Sequence, residues 1–208
     1  MNVALLCLRA FFRCKTEVKI VLIALSVIVL MPIFAVLAVA DTGLSVISSA
    51  LAAINPVTHL VEIHDPTGQV VAQLQATTAW PVRGSVTLEF GQPDPPYQKH
   101  HTGIDIAKST GEPITPFMAG KVTKVDTDPD NSSGYGKYVV VDHGNSITSL
   151  YGHMSEIKVA DKQDVKPGDV LGLEGATGHV TGVHVHFEIR VYGLPVDPRT
   201  FMVGDPTP

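Results

Sequence analysis

The stretch Val183–Tyr192 alternates without exception. Val183, Val185, Phe187, Ile189 and Val191 are apolar, whereas His184, His186, Glu188, Arg190 and Tyr192 are polar or amphipathic. A helix cannot sort that pattern onto one face, but a strand turns successive side chains to opposite sides. The stretch therefore reads as a strand that puts five residues into a core and brings two imidazoles out together on the opposite face. The sequence before it repeats the theme on a smaller scale. Short β-rich runs separated by Gly, Pro, Asn and Asp mark candidate strands at Ser85–Phe90, Gly120–Asp126, Tyr138–Asp142, Ser146–His153 and Asp169–Glu174. No amphipathic helical pattern of 12 or more residues follows position 80. The expected fold class is all-β, with mainly antiparallel sheets forming a compact catalytic domain over 80–203, and α+β is the alternative.

The front of the chain obeys a different rule. Ile20 to Ala40 are 21 residues without a charge, 14 of them Leu, Ile, Val or Phe. At about 1.5 Å per residue this run reaches roughly 32 Å, the thickness of a hydrocarbon core. It reads as one N-terminal transmembrane helix preceded by a basic leader over 1–19. Arg9, Arg13, Lys15 and Lys19 precede the run and Asp41 follows it, so the positive-inside rule keeps the N-terminus in the cytoplasm and exports the rest. Ala38-Val39-Ala40 also has the form of a signal-peptidase site, which leaves secretion after cleavage following Ala40 as the alternative. Residues 41–79 read as a stalk: a short helix spaced by Leu44, Ile47, Leu51 and Ile54, then a hairpin around Asp65-Pro66-Thr67-Gly68. Residues 204–208 read as a tail.

Composition excludes several functions. Residues 41–208 hold 11 of the 15 basic and 19 of the 20 acidic groups, a net charge of −8, so nucleic acid is not an expected partner. Cys7 and Cys14 both precede the apolar run, which leaves the exported part without disulfides, thiolate nucleophiles or cysteine metal ligands.

Histidines carry the remaining signal. There are nine, and four belong to close spacings: His101 with Asp105, His153 after Tyr151, and His184 with His186. In His101-Thr102-Gly103-Ile104-Asp105 the glycine marks a turn running into a strand. Nitrogen and carboxylate-oxygen donors suit zinc, and three protein ligands with one position open is the catalytic arrangement. Each pair alone has an ordinary reading as surface or strand decoration, Tyr151 as an exposed strand residue included; their order within one small β domain points to a hydrolytic zinc site.

The ordered motifs His101-x-Gly103-x-Asp105, Tyr151-Gly152-His153-Met154 and Gly175-Ala176-Thr177-Gly178 leading to Gly182-Val183-His184-Val185-His186-Phe187-Glu188 resemble the lysostaphin/LytM-type zinc endopeptidases of peptidoglycan peptides. The likeness runs from about Trp80 to Phe201. It implies one zinc ion per domain held by His101, Asp105 and His186, with His153 and His184 beside the reacting centre and either one as general base. It implies peptidoglycan peptides as substrate, approached through loops Pro93–Lys99, Asp128–Lys137 and Ala176–Thr181. It also leaves two alternatives: a non-catalytic activator of other wall hydrolases, and a wall-opening subunit of a conjugation or phage apparatus.

Overall fold

The computed structural model describes residues 43–207, where helix α1 (residues 43–51) runs straight into strand β1 (Ala52–Ile54). Next come β2 (Val61–His64) and β3 (Val70–Leu74), the hairpin expected around Asp65–Gly68, and the three strands form an antiparallel sheet. The Asp65 carboxylate accepts the backbone N–H groups of Thr67 and Gln69, which fixes the turn. The expected stalk is thus a folded layer whose Leu51, Ala52, Val61 and Ile63 are buried in the same apolar cluster as Trp80, Ile104 and Phe187. Residues 44–207 belong to one compact unit. The physical reason is the alternation in β2, where Val61 and Ile63 share a face that needs cover while Glu62 and His64 do not. At the other end Pro206 packs back and is buried.

The rest of the chain supplies β4 (Ser85–Leu88), β5 (Ile104–Ala107), β6 (Pro113–Ile114), β7 (Gly120–Asp126), β8 (Lys137–Asp142), β9 (Ile147–Met154), β10 (Glu156–Ile157), β11 (Asp164–Val165), β12 (Gly172–Leu173), β13 (Val185–Val191) and β14 (Leu194–Val196). The main sheet is antiparallel in the order β11-β7-β8-β9-β13-β5-β4, with β14 also on β13; β10, β12 and β6 make a small second sheet. The mainly antiparallel expectation holds, and β7 has the expected bounds. The candidate at Asp169–Glu174 shrinks to Gly172–Leu173, which pairs with β10 on one side and β6 on the other.

The central strands β9 and β13 are covered on both faces. Phe187 and Tyr151 are direct cross-strand partners and their rings stack at 5.5 Å; Phe117 packs against Phe187 and Phe201. Each such fully buried side chain contributes about 1.5–3 kcal/mol of transfer free energy. The polar face of β13 is not solvated: His186 and Glu188 are as buried as the core. Its covering is the site itself. The expected transmembrane segment 20–40 lies outside the described residues. Among the described residues no helix is long and apolar enough to cross a membrane.

Candidate metal centre

Strand register brings the predicted ligands together. Asp105 in β5 lies directly opposite His186 in β13, while their neighbours Ile104 with Phe187 and Ile106 with Val185 pair on the core face. A shift in register between Val86 and Leu88 of β4 falls beside Asp105, the sort of irregularity that re-aims a side chain. His101 reaches the same point from the turn before β5. Its Nε2 is 3.0 Å from Asp105 Oδ1 and 2.9 Å from His186 Nδ1, and His186 Nδ1 is 2.9 Å from that same oxygen. All three side chains are buried.

The donor set fits a cation. His101 Nδ1 faces the Glu89 carbonyl at 3.2 Å, an acceptor only, so that nitrogen carries the proton and Nε2 presents a lone pair. A lone pair, a carboxylate oxygen and a second ring nitrogen then converge within 3.0 Å of one another, mutually repulsive unless a positive charge joins them. Two imidazoles and one carboxylate are the ligand types that suit zinc. Without metal, protons share this load. Burial alone would push the Asp105 carboxyl up, but hydrogen bonds to His101 and His186 outweigh it and hold the group well below the usual carboxylate range. Burial likewise lowers His101, yet the bond to Asp105 prevails and its pKa is raised.

His153 and His184 stand beside the three, with ring centroids 4.7 Å apart. Alternation along β9 would send His153 to the same face as Tyr151. It does not, because His153 takes a left-handed backbone conformation (φ 61°), so Tyr151 and Met154 face the core and His153 turns into the cleft. Here the reading of Tyr151 as an exposed strand residue is corrected: it is 0 % exposed, and its hydroxyl accepts the Phe117 N–H at 3.1 Å and the Ser149 hydroxyl at 2.9 Å. The left-handed turn at His153 is clasped by two loops. Its N–H donates to the Tyr135 carbonyl and its Nδ1 to the Thr177 carbonyl, both at 2.8 Å, which leaves Nε2 as an acceptor. Burial, then the adjoining His186 and His184, push its pKa down to about 3. His184 Nδ1 lies 3.0 Å from the Gly182 carbonyl and Nε2 3.5 Å from Asp105 Oδ2.

These five residues floor a cleft of about 190 Å³ whose walls include Asp94, Tyr97, Ser133, Tyr135, His179 and Thr181. All three expected loops therefore contribute. Tyr97 and His179 stack at 5.3 Å across it. His100 stays apart with Nδ1 near the Gly91 carbonyl, and His143 packs on Phe117. Asp126 and Asp128 cap backbone N–H groups of their own turn. Residues that sequence reasoning missed are Tyr135, Glu188 and Arg190, joined behind His186; the opposite charges of Glu188 and Arg190 on the face that carries His186 were the available signal.

Residues 99–198 match the model of Peptidase family M23. The chain is 41 % identical over 97 residues to the peptidoglycan DD-endopeptidase ShyA of Vibrio cholerae, covering 47 % of this chain and 22 % of that protein. Among solved structures, a mutant catalytic domain of the prophage-encoded M23 protein EnpA from Enterococcus faecalis is 34 % identical with a TM-score of 0.51, over 59 % of this chain and 96 % of that one. A zinc-containing peptidase from Vibrio cholerae is 31 % identical with a TM-score of 0.54, over 72 % of this chain and 47 % of that one. The chain spans about a quarter of the length of curated relatives such as ShyA.

Proposed function

The chain belongs to peptidase family M23, and from that premise we infer that it is an exported zinc metalloendopeptidase that hydrolyses peptide cross-links of bacterial peptidoglycan. The observation that carries this reading is the meeting of His101 Nε2, Asp105 Oδ1 and His186 Nδ1 within 3.0 Å at the floor of an open cleft. In this reading those three side chains hold the ion. A zinc ion bound there supplies a Lewis acid that polarises a peptide carbonyl and lowers the pKa of water to about 7.

The protein's own residues do the rest. His153 is neutral near pH 7, its Nδ1–H held by Thr177, so its Nε2 is an acceptor for the proton of attacking water. His184, partly exposed on the cleft, is placed to hydrogen-bond the developing oxyanion or to return a proton to the leaving amine. The loop walls bind and orient the peptide. Residues 20–40 anchor the chain in the cell membrane, single-pass, with residues 1–19 cytoplasmic and the rest outside.

The test uses purified protein and isolated wall sacculi. One zinc per chain and release of peptide-cleaved muropeptides are expected, with both lost in His101→Ala while the β-type circular dichroism persists. Wall hydrolysis retained by His101→Ala, or a zinc-free protein that stimulates other hydrolases, would sink the enzyme reading. Membrane fractionation checks the anchor: full-length chain in the membrane pellet is expected, and a mature form beginning at Asp41 in the soluble fraction overturns it.

A further inference from the structure

His186 is held in an unusual way for the role inferred above. A metal-ligating histidine is ordinarily steered by a hydrogen bond from its far nitrogen. In His186 that atom, Nε2, is buried with no hydrogen-bond partner among the described residues. Packing must fix the ring instead. The Tyr135 ring lies against it at 5.5 Å and 34°, and the backbone of Gly103 comes so close that a Cβ there would stand 3.0 Å from both Cε1 and Nε2.

Tyr135 is itself gripped at both ends. Its carbonyl accepts the His153 N–H at 2.8 Å, and its hydroxyl accepts from Arg190 Nη2 at 3.2 Å and donates to Glu188 Oε2 at 3.4 Å. Glu188 is 1 % exposed, and Arg190 Nη2 and Nε lie 2.7 Å and 3.1 Å from its Oε2. The Arg190 side chain keeps 33 % exposure, so only the carboxylate is buried, and an ion pair that takes a carboxylate out of water is a poor source of stability. What such a pair secures is geometry. Its position matters: Glu188 and Arg190 follow His186 at the second and fourth residue, on the same face of β13.

We propose that the Glu188–Arg190 pair is a positioning device for the site: it pins the Tyr135 hydroxyl, so that the Tyr135 ring fixes the rotation of the His186 imidazole while the Tyr135 carbonyl fixes the backbone of His153. The proposal rests on the metal-site reading for its functional meaning, and joins the inferred ligand to the inferred base through one residue, by its ring and by its backbone carbonyl. Removing the hydroxyl leaves ring and carbonyl in place but frees the ring to tilt.

The experiment compares wild type with Tyr135→Phe and Glu188→Gln. It reads zinc affinity by chelator competition, kcat and KM on a defined cross-linked muropeptide, and the His186 ring resonances of the metal-free protein by nitrogen-15 NMR. Zinc binding weaker by about 10- to 100-fold is expected in both variants, the usual effect of losing a partner that orients a ligand. We expect kcat to fall with KM little changed, and the His186 resonances to shift or broaden even without metal. Wild-type zinc affinity together with unchanged His186 resonances in Tyr135→Phe overturns the proposal. Should Glu188→Gln fail to fold, Tyr135→Phe decides alone. If the wild type binds no zinc, the metalloendopeptidase reading fails, while the metal-free NMR comparison still decides whether Tyr135 orients His186.

Discussion

Asp105 and His186 face each other directly across the antiparallel β5–β13 pair, 81 positions apart in sequence and with 2.9 Å between Oδ1 and Nδ1. Direct opposition puts both side chains on one face of the sheet, the face away from Phe187 and Ile104. The two inferred ligands are therefore set by the register of one strand pair, and the third, His101, by the turn that leads into it.

Charge at Asp105 is what joins this set. Asp105→Asn keeps the volume and loses the anion, so zinc affinity should fall by orders of magnitude while the main sheet survives. Chelator competition together with circular dichroism checks this, and undiminished zinc affinity would contradict it.

His153 predicts a pH dependence of stability in chelator-treated protein. Its folded pKa is depressed to about 3, so the folded state keeps it neutral while the unfolded chain protonates it near the ordinary value of about 6.5. Its stabilising contribution is complete above about 6.5 and is lost as pH falls toward about 3, with a slope of up to about 1.4 kcal/mol per pH unit. His101, with its raised pKa, acts in the opposite sense, its contribution being lost as pH rises. The comparison that isolates His153 is with His153→Asn, a residue type that tolerates the left-handed backbone. Denaturant titrations from pH 7 to pH 4 should show a shallower slope in the variant; identical slopes would remove the assignment.

Gly178 tests the loop clasp. It has φ 79°, and a Cβ there would overlap the backbone at Gly134 and Gly136, which cannot move cheaply. The adjoining Thr177 carbonyl holds His153 Nδ1. Gly178→Ala should destabilise the protein by about 1–2 kcal/mol from the left-handed conformation alone. It should also lower kcat at least about tenfold through a misplaced base, an error of position rather than of binding. Steady-state kinetics with kcat unchanged would separate the loop from the chemistry.

Tyr151 gives the converse case, a motif residue with a structural task. Tyr151→Phe leaves the buried Phe117 N–H without its acceptor, which should cost about 1–3 kcal/mol in urea unfolding. Activity at 25 °C should stay within about twofold, because the hydroxyl points into the core, away from the cleft. A large loss of kcat in a fully folded variant would refute this division.

The amino-acid sequence determined the things that are local to a segment. Alternation marked Val185, Phe187, Ile189 and Val191 for the core, while Val183, which precedes β13, stays half-buried outside it; the turn at Gly103 running into a strand was legible in five residues. The hairpin at Asp65–Gly68 and the absence of long helices after position 80 were legible for the same reason. Only the tertiary structure decided that Asp105 sits opposite His186, because register depends on pairing between segments far apart. It alone turned His153 out of the alternation of β9, since a left-handed residue there is offset by the hydrogen bonds His153 donates to the carbonyls of Tyr135 and Thr177, which belong to other loops. It also buried Glu188 on the polar face of β13, which a strand's period marks as polar without saying whether water or another side chain will meet it.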